Sequence, residues 1–298
     1  MGLSWQQGPL GRDPAGTFVS ATPMPERVLY LEPLRRRMSV ELGGEVIARS
    51  DGTVLLFEPG RYPVAYFPID DVDQTALQPS DHESTHQDLG RTRWFDIVGG
   101  NGQSTRRGAW QHLDPPDGAA ALRETVAFAW RAMDAFYEED ERILGHAADP
   151  YHRIDIRRSS RHIVVRDGSR IVADTRSALV LYESGFAPRW YVPRDDIESD
   201  ALKAVEGQTF CPYKGLASYY DVGEQRNAAW SYRAPFEEVA RITDLVSFYP
   251  ARVTVTIDGE RLQEAPGQSV IAHGPDRNLS ADELGAIQLT EGASAAEA

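Results

Sequence analysis

Short apolar runs broken by glycine, proline and aspartate recur along the chain, and within them apolar and polar side chains tend to alternate. In the second half, residues 163–165, 170–173, 178–183 and 189–192 are β-branched or apolar stretches of strand length. Residues 219–222 and 228–232 add two more. Asp167-Gly168 and, earlier, Gly43-Gly44 fall where a hairpin must turn. Pro193 stops the run that precedes it. Residues 119–125 and 236–241 suit a short helix between strands.

The pattern repeats. Displaced by 125 positions, residues 43–72 align without a gap on residues 168–197, and ten of the 30 pairs are identical. Average composition would give roughly two. The register continues through Gly90 with Gly215 and Trp94 with Tyr219, then shifts by five so that Trp110 meets Trp230. Residues 130–137 alone read as helix or strand. Their counterpart 252–257 alternates with period two behind Pro250, so residues 132–138 are expected to be a strand. Each copy spans about 110–120 residues, enough to close one core, with about seven or eight short antiparallel strands and one short helix expected. The organisation expected is an extension (1–29), a first repeat (30–147), a second repeat (148–263) and an acidic tail (264–298), within which 282–289 suits one or two helical turns.

Several segments carry a resemblance. They are Thr209-Phe210-Cys211-Pro212-Tyr213-Lys214-Gly215-Leu216, the run from Trp190 to Ile197, Ala229-Trp230-Ser231-Tyr232, and Val126 to Trp130 leading into Asp134–Glu141. Together they resemble the bacterial "domain of unknown function 427" family over roughly 30–145 and 150–263. The resemblance implies a mainly β fold of two tandem β-tent (Mss4-like) domains, in each of which two antiparallel sheets lean together over a cleft. Relatives of that fold hold zinc with paired cysteines, and the family is in places labelled a nucleotidyltransferase. One cysteine, Cys211, cannot supply such a site, so no metal and no cofactor are expected.

Charge narrows the function classes. With 31 basic and 45 acidic residues the net charge is −14, which argues against nucleic acid and anionic membranes as partners. The apolar runs are too short to span a bilayer, and residues 1–26 lack the apolar core of a signal peptide. A cytoplasmic location is expected. Arg35-Arg36-Arg37 is expected to pair with surface acids.

The candidate chemistry concentrates in the second repeat. Only Lys203 and Lys214 are lysine, against 29 arginines, and Lys214 stands three residues from Cys211. A nearby ammonium favours thiolate, which would make Cys211 a nucleophile; a buried, inert thiol is the other reading. Lys214 either holds a ligand anion or pairs with Glu183 or Asp195. The first repeat has His86-Gln87-Asp88-Leu89-Gly90 there, losing thiol, phenol and amine but keeping the glycine turn. His86 reads as a solvated loop residue or a substitute base, and with His82 it makes no metal site. Asp70-Asp71 and Asp195-Asp196 suit turn hydrogen bonds better than a shared metal, because neighbours on a strand face opposite ways. Glu183, Trp190, Tyr191, Cys211, Tyr213, Lys214, Tyr219 and Trp230 are the candidate ligand-binding residues, with Glu58, Tyr66, His86, Trp94 and Trp110 their first-repeat counterparts. A cleft walled by Trp and Tyr suits flat or cationic small molecules. The expected function is therefore a small-molecule binding module, the alternatives being an enzyme using Cys211 or Lys214, nucleotidyltransferase-like in kind, and a protein-interaction scaffold. Oligomeric state is not readable.

Overall fold

The computed structural model describes residues 19, 27–58, 61–184 and 186–263. The tail 264–298, its helical turns at 282–289 and most of the extension 1–29 lie outside the described residues. The chain forms two compact units that part between Tyr151 and His152.

The first repeat has eleven strands: β1 (Tyr30–Pro33), β2 (Met38–Leu42), β3 (Glu45–Ser50), β4 (Val54–Phe57), β5 (Val64–Pro68), β6 (Leu77–His86), β7 (Gly90–Val98), β8 (Ser104–His112), β9 (Thr125–Phe128), β10 (Ala135–Glu138) and β11 (Glu141–Ile143). They build a seven-stranded antiparallel sheet, β1-β4-β5-β9-β8-β7-β6, and a four-stranded one, β11-β10-β2-β3. The second repeat continues with β12 (Ile154–Arg158), β13 (Ile163–Asp167), β14 (Arg170–Thr175), β15 (Leu179–Glu183), β16 (Arg189–Val192), β17 (Leu202–Cys211), β18 (Gly215–Val222), β19 (Gln225–Tyr232), β20 (Val246–Phe248), β21 (Thr254–Ile257) and β22 (Glu260–Arg261). Its sheets, β12-β15-β16-β20-β19-β18-β17 and β14-β13-β21-β22, reproduce the first pair strand for strand. The two-domain β architecture expected from the repeat is what the chain adopts.

The large sheet of each repeat is apolar on both faces, which places the site. One face packs on the small sheet, around Met38, Leu55, Phe67 and Phe136 in the first repeat and Val165, Val192, Tyr220 and Val255 in the second. The other face carries a separate cluster: Leu56, Tyr66, Leu89 and Leu122 in the first, Leu181, Tyr191, Trp230 and Ile242 in the second. Alternation along a strand sorts neighbours between these faces. Trp190 accordingly packs against the inter-sheet core and Tyr191 against the outer cluster.

Two expectations are corrected, and the short helix expected in each repeat is present. Each repeat has eleven strands rather than seven or eight, because the edge strands β6 and β17 are largely polar and hydrogen-bond on one side alone, leaving little apolar pattern to read. The expected helices are six-residue 3-10 segments, Asp117–Leu122 and Glu237–Ile242, whose buried Leu122 and Ile242 cover the outer cluster. The strand expected over 132–138 is confined to Ala135–Glu138, preceded by a 3-10 turn at Trp130–Ala132. Gly43 and Gly44 both have positive φ, 65° and 77°, as a two-residue type I′ hairpin requires. Arg36 and Arg37 pair with Glu138 and Asp51. Among the described residues no helix is long and apolar enough to cross a membrane.

Candidate functional site

The β17–β18 hairpin sets the chemistry of the second repeat. Cys211 pairs with Gly215 across a three-residue loop, the Lys214 amide donates to the Cys211 carbonyl at 3.2 Å, and Gly215 takes a φ of +91°. That is the turn-plus-left-handed-residue connection that a three-residue hairpin favours. It aims Lys214 inward. Its Nζ donates to Glu183 Oε1 at 2.5 Å, and both side chains are over nine-tenths buried. His152 Nε2 lies 3.2 Å from the same oxygen, and its ring stacks on Tyr213 at 3.6 Å and 13°. Tyr191 meets Trp230 edge-on at 6.3 Å, and Trp230 also touches Tyr249 at 4.3 Å. The Tyr219 hydroxyl is 2.6 Å from Thr209 Oγ1. Cys211 and Tyr219 pack against this cluster, half-buried.

Burial by itself would raise the Glu183 carboxyl, but the Lys214 ammonium and the bonds from His152 and Lys214 outweigh it and hold the carboxyl down at about 2. Burial likewise opposes the Lys214 charge, yet Cys211, Glu183 and Tyr191 together raise this ammonium above its usual value. Burial also pushes the Tyr191 phenol up to about 12. Lys214 is therefore a fixed cation committed to Glu183, unsuited to act as an amine nucleophile or base.

The first repeat solves the same problem with different residues. Leu89, 2% exposed, fills the slot of Lys214, so its hairpin delivers no ammonium. Glu58 is nonetheless buried, and His86, standing where the second repeat has Cys211, reaches its Oε2 at 2.9 Å. Arg27 Nη2 adds a bond at 3.1 Å from the position of His152. Both repeats thus bury a carboxylate at the end of the fourth strand and surround it with cationic or cation-forming partners, His152 and Lys214 for Glu183 and Arg27, His86 and, at 3.9 Å, Arg61 for Glu58. His86 is a buried-site partner of Glu58 rather than a solvated loop residue, because the segment 77–86 is an edge strand that carries it to the sheet face. Nearby, Trp110 Nε1 donates to the Tyr66 hydroxyl at 3.1 Å. That hydroxyl lies 2.9 Å from His112 Nε2, whose Nδ1 lies 3.1 Å from Thr92 Oγ1. Trp94 stacks obliquely on Trp110 at 5.3 Å.

Glu183, Tyr191, Cys211, Lys214, Tyr219 and Trp230 thus meet on the outer face, with Tyr213 joined through His152. Trp190 stands apart from them on the inner face. His152, Arg27 and His112 were not among the expected residues. The displaced alignment does pair Arg27 with His152, so a shared basic-capable position just before the first strand was readable. The aspartate pairs serve turns: the Ser50 hydroxyl donates to Asp71 at 2.6 Å, and the Thr175 hydroxyl to Asp196 at 2.5 Å.

Trp190 belongs to a second feature. On the inner face Arg157, Val180 and Trp190 stand side by side across β12, β15 and β16. Facing Ile257 and Leu262 of the small sheet, they line a cleft of about 340 Å³. In the first repeat the corresponding row is Glu32, Leu55 and Ala65, and the segment after β11 lies over it. There Ala147 is 1% exposed within the inter-sheet core. His146 stacks on Tyr62 at 3.8 Å, and Tyr151 sits edge-on to Phe57 at 5.8 Å with its hydroxyl donating to Glu32.

The family model described as "Domain of unknown function (DUF427)" matches residues 30–139 and again 155–259. Among curated proteins nothing matches the chain.

Proposed function

The chain belongs to the family described as a domain of unknown function (DUF427), which it carries twice, and from that premise we propose that its second repeat is a small-molecule binding module. The ligand occupies the inter-sheet cleft beside Trp190. The observation that carries this reading is the cleft itself: among the described residues, the two sheets of the second copy frame about 340 Å³ beside Trp190, within the usual size range of small-molecule sites. An indole wall with aliphatic neighbours offers apolar contact area to a flat ligand. The outer cluster of Glu183, Lys214 and Tyr191 is, in this reading, the buried support of the sheet that carries Trp190. An enzyme working through Cys211 and Lys214 draws less support, because the ammonium is already engaged.

A melting-temperature screen of the full chain against small metabolites tests this. A binder present at about 100 times its Kd adds about 2.7 kcal/mol to the folded state, a readily measured shift. The shift is expected to vanish in Trp190→Ala and to persist in part in Trp190→Phe, which keeps an aromatic wall. A compound that stabilises Trp190→Ala as strongly as the wild type would move the site elsewhere.

A further inference from the structure

The charge around the cleft is opposite to that of the chain. Against a net charge of −14, the described residues lining the cleft include four arginines and no carboxylate. Arg189 turns its guanidinium to the outer face, 5.6 Å over the Trp230 ring, and Arg158, opposite Leu179 of the outer cluster, shares that face, which leaves Arg157 and Arg161 for the cleft. Their acidic partners stand outside the lining and engage them incompletely. Arg157 gives Nη2 to Asp155 and Nη1 to the Ile156 carbonyl, both at 3.1 Å, and keeps its Nε–H. Arg161 approaches Asp258 through Nε alone, at 3.6 Å, and so keeps both terminal nitrogens. Guanidinium groups hold planar anions through paired N–H donors. Beside them Trp190 and Val180 supply a flat apolar floor, and Ile257 and Leu262 the opposite wall. The row of the first repeat begins with Glu32, where the second has Arg157.

We propose that the cleft selects an anionic ligand with a flat apolar body, an aryl or heteroaryl carboxylate, sulfonate or phosphate. The ring lies along Trp190 and the anion reaches Arg157 and Arg161. This rests on the cleft being the binding site, and it reverses the preference for cationic groups that an aromatic cage by itself would suggest.

Two fluorescent probes with the same ring system separate the parts of this proposal. 1-Anilinonaphthalene-8-sulfonate carries the anion and N-phenyl-1-naphthylamine does not. Titrated into the full chain, the sulfonate is expected to bind at least about tenfold more tightly, with a preference that weakens as salt is raised. In the double variant Arg157→Gln, Arg161→Gln the preference should fall to about twofold or less, and Trp190→Ala should weaken both probes. Both arginines are solvent-facing, so the double variant is expected to fold, as circular dichroism will report. Equal affinity for the two probes, or a preference that survives in the double variant, overturns the anion selectivity and leaves the cleft reading standing. If neither probe binds, or Trp190→Ala changes neither, the cleft reading falls and this proposal with it. Competition then names the anion. Displacement of the sulfonate by 1-naphthoate or by 1-naphthyl phosphate supports the proposal and ranks the two chemistries, whereas equal displacement by naphthalene counts against it.

Discussion

Replacing Lys214 by methionine is expected to destabilise the second repeat by about 3–5 kcal/mol, the usual cost of leaving one member of a buried ion pair uncompensated. Glu183 and Lys214 are both over nine-tenths buried and 2.5 Å apart, so no water takes the place of the lost ammonium, and His152 at 3.2 Å remains as the nearest partner. The first repeat indicates the rescue. It carries leucine in the lysine slot and histidine in the cysteine slot, with His86 reaching Glu58 at 2.9 Å. The double variant Cys211→His, Lys214→Leu should therefore recover much of what Lys214→Met loses. Acid weakens the wild-type pair in a defined window. Glu183 is held at about 2 against an ordinary 4.5, so its contribution is complete above about pH 4.5 and is lost as the pH falls toward 2. Lys214 is shifted upward, so its contribution is complete below its ordinary value and is lost only as the pH rises through its higher folded one. Urea denaturation at pH 7 and again near pH 3 checks both statements: the penalty of Lys214→Met should be largest at neutral pH. A penalty under about 1 kcal/mol at pH 7, the scale of an exposed pair, would mean that the contact is not buried in solution.

The first repeat should lose about 3 kcal/mol between pH 6.5 and pH 4 through His112. Burial, reinforced by the nearby His86 and opposed by Glu58, lowers its imidazole from 6.5 to about 4. Over that interval the unfolded chain binds a proton that the folded chain refuses, so stability rises with pH and is complete above 6.5. The hydrogen bonds agree with the sign. With the Trp110 N–H on its oxygen, the Tyr66 hydroxyl can give its own proton to His112 Nε2 at 2.9 Å when the ring is neutral and carries its proton on Nδ1, toward Thr92. Protonation of Nε2 would require that hydroxyl to turn its proton away. His112→Gln should flatten the stability–pH profile across this range while lowering stability at pH 7. The second repeat has Tyr232 at this position and should show no such slope. Denaturation of the wild type and the variant from pH 4 to pH 7 distinguishes the two transitions, and an unchanged slope in His112→Gln would show that another group titrates there.

Several features were legible before any coordinates. The 125-residue self-match and period-two alternation determined two copies of one antiparallel β fold, because core-facing positions tolerate little but an exchange of one apolar residue for another. The glycine common to both hairpins determined the turn, since a positive φ at Gly90 and Gly215 excludes most side chains. Glu58 and Glu183 stood out as a shared acid, and Lys214 as a lysine that either held a ligand anion or paired with Glu183 or Asp195.

Other features were decided in space. The edge strands β6 and β17 are polar and hydrogen-bonded on one side, so their pattern resembles a loop until a partner strand lies beside it. Trp190 and Tyr191 are neighbours in sequence, yet strand geometry sends one into the arginine-rimmed cleft and the other into the outer cluster; a count of aromatics along the chain merges two sites into one. Relocation of the carboxylate's hairpin partner from the slot of Lys214 to the slot filled by His86 is invisible in either repeat alone, because the two slots meet only where the hairpin folds over the buried carboxylate. Periodicity and spacing are one-dimensional and so determined the fold. Which face a side chain joins, and which charge it meets there, depends on long-range pairing between strands, and only the tertiary structure decided it.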